Sequence, residues 1–383
     1  MRTPSIPEED GLDFDVNEEQ AMLRDLVARF GADHYDPVKR LAYLREPRGF
    51  TAASWTMMAE TGLLAFALPV EAGGFGGSDT DIITVMEAFG RFVGVEPLLA
   101  SILLGAGAVN AAATEAQKEA LLPGIVAGTQ FAALALFEHQ SRFGLAHPAT
   151  RAEPDGGAFR LSGAKQMVLG GGFADHVVVL ARGGADGAPG LYLVDGSAPG
   201  IVRRDYRMVD GMAASDIDFA AVPAQAMTGG QGAGGQEALD RVLAQARLGI
   251  CAELLGLMET MFHQTLDYLK MRKQFGQPLG SFQVLQHRMA DCYARLELSR
   301  SQLYRAAGAE GEEAGARRAA ISAAKAYISE SAMHVGEEAV QLHGGIGVTD
   351  ELLVGQAFKR VVALANLLGD AEAEIDSYVA LTA

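Results

Sequence analysis

The first third of the chain repeats apolar residues with the period of an α-helix. Asn17 is a residue type suited to cap a helix. The apolar stripe that follows it consists of Met22, Leu23, Leu26, Val27 and Phe30. Further helices are predicted around Trp55 and at roughly 80–92, 96–113 and 115–127. We therefore predict a loose polar tail at residues 1–12 and an α-helical N-terminal domain over residues 1–128.

The period shortens near Phe131, where β-rich runs begin. The predicted strands are Ala132–Phe137, Ala158–Ser162, His176–Ala181, Leu191–Val194, Ile201–Arg207 and Asp216–Phe219. Turn signals such as Ala198-Pro199-Gly200 separate them. This spacing predicts a small antiparallel sheet or barrel as a middle domain, over residues 129–228.

A glycine-rich segment, residues 228–236, follows the last predicted strand. Its Gly230-x-Gly232-x-x-Gly235 satisfies the spacing of the dinucleotide-binding fingerprint. That fingerprint needs a preceding parallel strand and a βαβ unit, and neither is evident in the sequence. We interpret the segment as a linker that acts as a hinge.

From Glu237 the helical period continues almost to the end of the chain. Predicted helices extend to Arg272, from about Ser281 to Ala309, from Arg318 to Leu342 and from about Val354 to Leu368. Short connections between four long helices predict an antiparallel four-helix bundle over residues 229–383. The predicted fold class is α+β.

Charge and cysteine content narrow the classes of function. The formal charge of −17 argues against nucleic acid or an anionic membrane as a partner. Cys251 and Cys292 are isolated, and the histidines lack metal-ligand spacing, so we predict neither a disulfide framework nor a metal site. The N-terminus lacks the pattern of a signal peptide. We expect a cytoplasmic enzyme.

The most informative stretch is Arg272–Asp291, between two predicted helices. Gly276-Gln277-Pro278 favours a turn, because glycine and proline suit backbone conformations that break a helix. Arg272 offers a guanidinium that matches phosphate oxygens, and the amide of Gln283 can bond to a base or a flavin edge. The alternative interpretation is a capped helical corner with an exposed arginine.

Two motifs in fixed order carry a resemblance. Arg272-x-Gln274-Phe275-Gly276 with Phe282-Gln283, followed by Gln341-Leu342-His343-Gly344-Gly345-Ile346-Gly347, resembles the acyl-CoA dehydrogenase family of flavoproteins. The resemblance implies an N-terminal helical domain, a middle β domain and a C-terminal helical bundle. It also implies FAD and acyl-CoA as ligands.

The resemblance assigns part of the FAD site to a neighbouring subunit. In the family, the flavin ring rests on the β domain of one subunit while pyrophosphate and adenosine reach the bundle of the next. The positions that match this neighbour's contribution are Arg272, Gln274, Phe275, Gln283, Gln341, Gly344 and Gly345.

The ring side departs from the family pattern. Where the family carries Thr-Glu-Pro-Gly-Ala-Gly-Ser-Asp, this chain has Phe137–Phe143. The aromatic residue that packs on the flavin is replaced by Met167, and the hydroxyl that bonds its N5 edge by Leu169. An apolar side chain cannot supply that hydrogen bond.

The general base also departs from the pattern. The two positions at which the family places a catalytic glutamate are Leu368 and Ala246 in this chain. Asp370 is the nearest carboxylate and our candidate base, with a helix cap or turn residue as the alternative. Glu253 lies on the same helical face as Ala246, where an ion pair with an arginine from another helix is expected.

These departures imply an unequal assembly. The chain resembles the degenerate subunits of bacterial α₂β₂ acyl-CoA dehydrogenases that degrade steroid or branched side chains. In that interpretation it completes the FAD site of a catalytic homologue. The alternatives are a self-sufficient homotetramer that uses Asp370 as its base, and a flavin-free structural or acyl-CoA-binding subunit.

Overall fold

The N-terminal helices begin where the sequence provides side-chain caps. The computed structural model describes residues 17–183 and 187–383, so the predicted tail at 1–12 lies outside the described residues. The helices are α1 (Glu18–His34), α2 (Pro37–Leu44), α3 (Ala52–Glu60), α4 (Asp79–Arg91), α5 (Gly107–Ala112) and α6 (Glu115–Val126). Asn17 and Gln20 form a capping box at the start of α1.

The helix predicted at 96–113 is interrupted. Leu98–Ala106 forms a π-helical segment, and α5 follows it directly. Pro97 precedes the segment, and every residue of it is buried. A π-helical segment widens the turn, a geometry found often near functional sites, and apolar periodicity alone does not distinguish it from an α-helix.

The middle of the chain folds into one seven-stranded sheet. Its strands are β1 (Ala132–Ala135), β2 (Arg151–Asp155), β3 (Ala158–Leu169), β4 (His176–Gly183), β5 (Ala188–Asp195), β6 (Ile201–Arg207) and β7 (Ala213–Gln231). The strand order is β1-β4-β2-β3-β7-β5, with β6 paired to β7 and an additional pairing of β4 with β5. That additional pairing closes β4, β2, β3, β7 and β5 into a ring, which is the barrel alternative of the prediction.

The pairings are mixed, although most are antiparallel. β4 runs parallel to β1 and β2. β2 was missed by the sequence prediction because Pro154 interrupts its pattern and four of its five residues are exposed. Successive residues of β4 face opposite sides: Val177 and Val179 fill the barrel, while Val178 and Leu180 pack on the helices.

The glycine-rich linker prediction is wrong. β7 continues to Gln231, where it pairs with Gly190 of β5, and a 40-residue helix α7 (Gly232–Met271) begins at the next residue. Strand and helix are therefore contiguous, with an irregularity in the β5–β7 pairing between Tyr192 and Gly190, and the role of a hinge stays a prediction. The dinucleotide-fingerprint alternative fails too, since β7 pairs only antiparallel with β3, β5 and β6 among the described pairings.

The C-terminal part is a helical bundle with one more helix than predicted. After α7 come α8 (Gln283–Ala307), α9 (Ala314–His343), α10 (Leu353–Ala365) and α11 (Ala371–Thr382). No helix was predicted beyond Leu368. In the structure Asp370 caps α11, which packs against α9. The predicted domain boundaries, after residues 128 and 228, stay predictions.

Buried charges join the three parts of the chain. Arg360 on α10 pairs with Glu253 on α7 at 2.7 Å and with Asp210, before β7, at 2.8 Å. Arg40 on α2 donates to the carbonyl of Asp210. No helix of residues 17–183 and 187–383 is long and apolar enough to cross a membrane.

Candidate cofactor and active site

A tight hairpin forms the corner after α7. Short strands β8 (Lys273–Gln274) and β9 (Gln277–Pro278) pair across Phe275 and Gly276, which have φ of +53° and +82°. Two consecutive residues with positive φ give the turn whose twist suits a two-residue hairpin. The turn leaves Phe275 91% exposed. An exposed aromatic side chain at the tip of a turn is typical of a surface that binds a ligand or another subunit.

A second turn ends α9. Gly344 has φ +68° and ψ −148°, a conformation that only glycine adopts readily. A Cβ placed on Gly344 or Gly345 would meet no atom within 4 Å. The backbone of this turn is therefore open to a ligand or another subunit.

The two turns adjoin each other, as the resemblance requires. The ring of Tyr268, one helical turn before Arg272, stacks on His343 with 4.4 Å between ring centroids. Its hydroxyl donates to the His343 carbonyl at 3.4 Å. We call Arg272–Gln283 together with Gln341–Gly345 the corner surface.

All predicted cofactor residues lie exposed on the corner surface. They are Arg272, Gln274, Phe275, Gln283, Gln341, Gly344 and Gly345. Gln283 is the first residue of α8, in agreement with the prediction that a helix starts there. No part of residues 17–183 and 187–383 covers these groups.

The ring-side positions are packed against the chain itself. Met167 has φ +51°, its backbone N–H donates to Asp216 at 3.1 Å, and its side chain packs on the main core. Leu169 borders a cavity of about 30 Å³ that is also lined by Leu99 and Phe173. That is enough room for ordered water. We call this cavity the ring-side pocket.

A buried ion pair that sequence reasoning missed joins β3 to the segment after β1. Lys165 Nζ donates to Glu138 Oε1 at 2.8 Å and to the Leu136 carbonyl at 2.9 Å. Their side chains are 0% and 3% exposed. Glu138 also accepts from the Thr150 hydroxyl at 2.6 Å.

Burial and hydrogen bonding act on this pair in opposite directions. Burial raises the pKa of Glu138, but hydrogen bonds from Lys165, Thr150 and Ala149 outweigh it and hold the pKa at about 2. Burial lowers the pKa of Lys165 to about 8 against the opposing effect of Glu138. The pair is an ionised support for the loop after β1.

Neither family position for a glutamate base is accessible. Ala246 on α7 is fully buried, and Leu368 is 3% exposed with φ +60°. Arg247 donates to the Leu368 carbonyl at 2.9 Å and pairs with Glu374 at 2.7 Å. These bonds hold the loop in place, and the Leu368 side chain packs in the core.

Lys325 of α9 also holds this loop in place. Its ammonium, fully buried on α9, donates to the carbonyls of Ala365 at 3.2 Å and Gly369 at 3.1 Å. Sequence reasoning missed Lys325 and Arg247. A lysine within an otherwise apolar helical stripe is the signal that could have found Lys325.

Asp370 is engaged in local structure. One carboxylate oxygen accepts from the Ala373 N–H at 2.9 Å, which makes Asp370 the N-cap of α11. The other pairs with Arg142 at 2.5 Å. This is the capping role that the sequence analysis gave as the alternative, and the catalytic role stays a prediction.

Glu253 is paired as expected. Both its oxygens accept from Arg360, and both side chains are almost fully buried. The prediction of an arginine partner from another helix is confirmed.

Comparison with known proteins decides the family. Three family models match the chain: the N-terminal domain of acyl-CoA dehydrogenase at residues 17–129, its middle domain at 133–222 and its C-terminal domain at 232–379. The mitochondrial isovaleryl-CoA dehydrogenase of Pongo abelii is 30% identical over 320 residues, which are 79% of this chain and 74% of that protein. This chain belongs to the acyl-CoA dehydrogenase family.

Other relatives match along nearly the whole length. The probable acyl-CoA dehydrogenase YngJ of Bacillus subtilis is 28% identical, over 96% of this chain and 98% of that one. Among solved structures, a variant of the Tcur3481-Tcur3483 steroid ACAD superposes with a TM-score of 0.85. It is 33% identical and covers 96% of this chain and 98% of its own.

Members of the acyl-CoA dehydrogenase family are FAD-dependent oxidoreductases. The corner surface has groups that suit part of that cofactor. The exposed guanidinium of Arg272 can bond to two phosphate oxygens at once. Gly344 has no side chain, so a ligand can approach the backbone amides of the turn. The ring-side positions do not fit a flavin ring in the family's manner, because neither Met167 nor Leu169 offers a side-chain hydrogen bond. The two groups of predicted FAD-site residues thus differ within one chain.

Proposed function

We propose that this acyl-CoA dehydrogenase chain completes the FAD site of a homologous catalytic subunit, in an α₂β₂ assembly, and has no working flavin site of its own. The assembly desaturates an acyl-CoA thioester. When bound, FAD supplies the hydride acceptor for that reaction. The observation that carries the proposal is the contrast between the exposed corner surface and the apolar ring-side positions Met167 and Leu169.

On the corner surface, this chain's residues would bind and orient the FAD of the partner subunit. Arg272 would neutralise pyrophosphate, Gln283 would hydrogen-bond near the adenosine half, and Phe275 would wall the site. These side chains are exposed in the chain alone, so completing the site requires a second subunit. The paired subunit names of the Tcur3481-Tcur3483 steroid ACAD support an assembly of unlike chains.

A proton-abstracting group is the second missing part. A base must come within hydrogen-bond reach of the proton that it removes. Leu368 and Ala246 cannot act as bases, and the Asp370 oxygens are held by Arg142 and by the N-terminus of α11. The partner would therefore supply the base from its own glutamate.

The test is co-expression with a homologue that carries glutamate at a family base position. We expect the purified complex to hold one FAD per pair of unlike chains and to turn over acyl-CoA. Substituting the partner's glutamate should abolish turnover and leave the flavin in place. Two FAD per pair, or full turnover without the partner's glutamate, would favour the self-sufficient alternative that uses Asp370.

A further inference from the structure

Glu96 is a buried carboxyl group that lines the ring-side pocket. It comes directly before Pro97 and the π-helical segment, and it is 1% exposed. Its Oε2 accepts a hydrogen bond from the Tyr35 hydroxyl at 2.6 Å. Its Oε1 is buried and has no hydrogen-bond partner among the described residues. Such an atom costs free energy unless water or a ligand meets it.

No cation pairs with Glu96 in residues 17–183 and 187–383. Several ionisable groups nevertheless lie on the elements packed around it. They are Tyr35 after α1, Arg40 and Tyr43 on α2, Arg48 before α3, Asp210 before β7, Glu253 on α7 and Arg360 on α10.

The three cations of that set are engaged elsewhere. Arg40 donates to two backbone carbonyls and to Gln356. Arg360 pairs with two carboxylates, and the guanidinium of Arg48 lies over an aromatic ring. A buried carboxyl group without a cationic partner favours its neutral form, because burial penalises the charge. Burial accordingly raises the pKa of Glu96 above the ordinary 4.5, against the hydrogen bonds from Tyr35 and Ser54.

The ring-side pocket offers a water molecule more than one polar partner. Besides Glu96, the pocket is lined by Arg360. A guanidinium has five N–H groups, and three of those of Arg360 are used by Glu253 and Asp210. Two or more polar partners are what an ordered buried water requires.

We propose that Glu96 is held as a neutral carboxylic acid whose Oε1 donates its proton to an ordered water molecule in the ring-side pocket. Oε2 is already occupied as the acceptor of the Tyr35 hydroxyl, so the proton belongs on Oε1. Loss of the proton at high pH leaves an unpaired charge in the core, and the fold weakens. The inference does not rest on the proposed function, because it needs neither FAD nor a partner subunit.

The sign of the pH dependence follows from proton binding. Above pH 4.5 the unfolded chain releases the Glu96 proton while the folded chain keeps it. The folded state then binds more protons than the unfolded state, so its stability falls as the pH rises. One proton changes the unfolding equilibrium constant by up to about tenfold per pH unit.

The experiment is urea unfolding of the isolated full chain at a series of pH values between about 5 and 9. Glu96→Gln keeps the shape of the neutral acid and cannot ionise. The unfolding constant of the wild-type chain, divided by that of Glu96→Gln, should rise with pH at up to about tenfold per unit. The control Glu60→Gln removes an exposed carboxylate at the end of α3, and its profile should stay parallel to the wild type.

Two further measurements avoid any dependence on unfolding. The infrared difference between the wild-type chain and Glu96→Gln at pH 7 should contain the carbonyl stretch of a protonated carboxyl group. A crystal structure should show water within hydrogen-bond distance of Glu96 Oε1.

Three results would overturn the inference. The first is a pair of parallel pH profiles for the wild-type chain and Glu96→Gln. The second is a carboxylate band in place of the protonated carboxyl band. The third is a ring-side pocket that a high-resolution crystal structure shows to be empty.

Discussion

The corner surface and the ring-side pocket began as the two halves of one predicted cofactor site, yet they are physically unlike. Phe275 on the corner surface is 91% exposed, whereas Leu99 and Val168, which lie on the ring side, are 5% and 1% exposed. The corner surface lies at helix ends, whereas β3, which carries Met167 and Leu169, also carries Lys165 of a buried ion pair. Substitutions should therefore separate cleanly: one region governs binding and the other governs stability.

Glu138→Ala should have the largest effect, and it should be on stability. It leaves the fully buried ammonium of Lys165 without its carboxylate, which costs roughly 3–5 kcal/mol when a buried pair is broken. Urea unfolding of the isolated chain measures this as a lower midpoint.

A matched ion pair on the outside of the same sheet provides the control. Arg204 and Asp218 pair at 2.7 Å with side chains 60% and 42% exposed. Asp218→Ala should cost at most about 1 kcal/mol, because solvent screens the pair. Equal losses in the two variants would contradict the special status of the buried pair.

Acidification should remove the contribution of Glu138. Its pKa in the folded chain, about 2, lies below the ordinary value of 4.5. A carboxyl with a depressed pKa stabilises the fold above pH 4.5, and that contribution is lost as the pH falls from 4.5 towards 2.

The difference in unfolding free energy between the wild-type chain and Glu138→Gln should therefore shrink over that pH range. Urea titrations at a series of pH values measure it. A difference that stays constant down to pH 2 would show that Glu138 does not titrate as described.

Arg272→Ala should show the opposite profile. In the complex with the partner it should weaken FAD retention by roughly 1.5–3 kcal/mol, the worth of a charge-assisted hydrogen bond. Because Arg272 is exposed, the stability of the chain should change by less than about 0.5 kcal/mol. Arg272→Lys should rescue retention only partly, since an ammonium lacks the fork. Equilibrium dialysis measures the FAD affinity, and urea unfolding measures the stability. An unchanged FAD affinity would show that Arg272 is only a charge at the end of a helix.

Asp370→Asn should have the smallest effect. Asparagine caps a helix nearly as well as aspartate, so α11 should stay folded. In the assembled complex we expect the dehydrogenation rate to fall by less than about tenfold, whereas loss of a general base costs about 10² to 10⁴. A loss in that larger range, with FAD content intact, would make Asp370 catalytic.

The corner could be read from sequence because its signals are local. Gly276 and Pro278 specify a turn within a few residues, and Gln283 begins the next helix as predicted. Helix α11 and strand β2 were missed for local reasons too, since an aspartate cap resembles a turn residue and Pro154 argues against a strand.

The contacts that hold the loop around Leu368 could not be predicted from the sequence, because their partners are distant along the chain. Arg142 reaches Asp370 across 228 positions, and Arg247 reaches Leu368 across 121. For Glu253, the sequence predicted an arginine but not that it would be Arg360, 107 residues away. Helical periodicity places a residue on a face and does not say which helix lies opposite.

The central claim is that this chain cannot hold flavin alone. The direct measurement is the visible absorbance of the isolated full-length chain, purified with excess FAD and then desalted, against protein concentration. We expect little flavin and no acyl-CoA dehydrogenation. One flavin per chain with turnover would show that the ring-side pocket opens to accept a flavin ring, and would contradict the proposed division of the site.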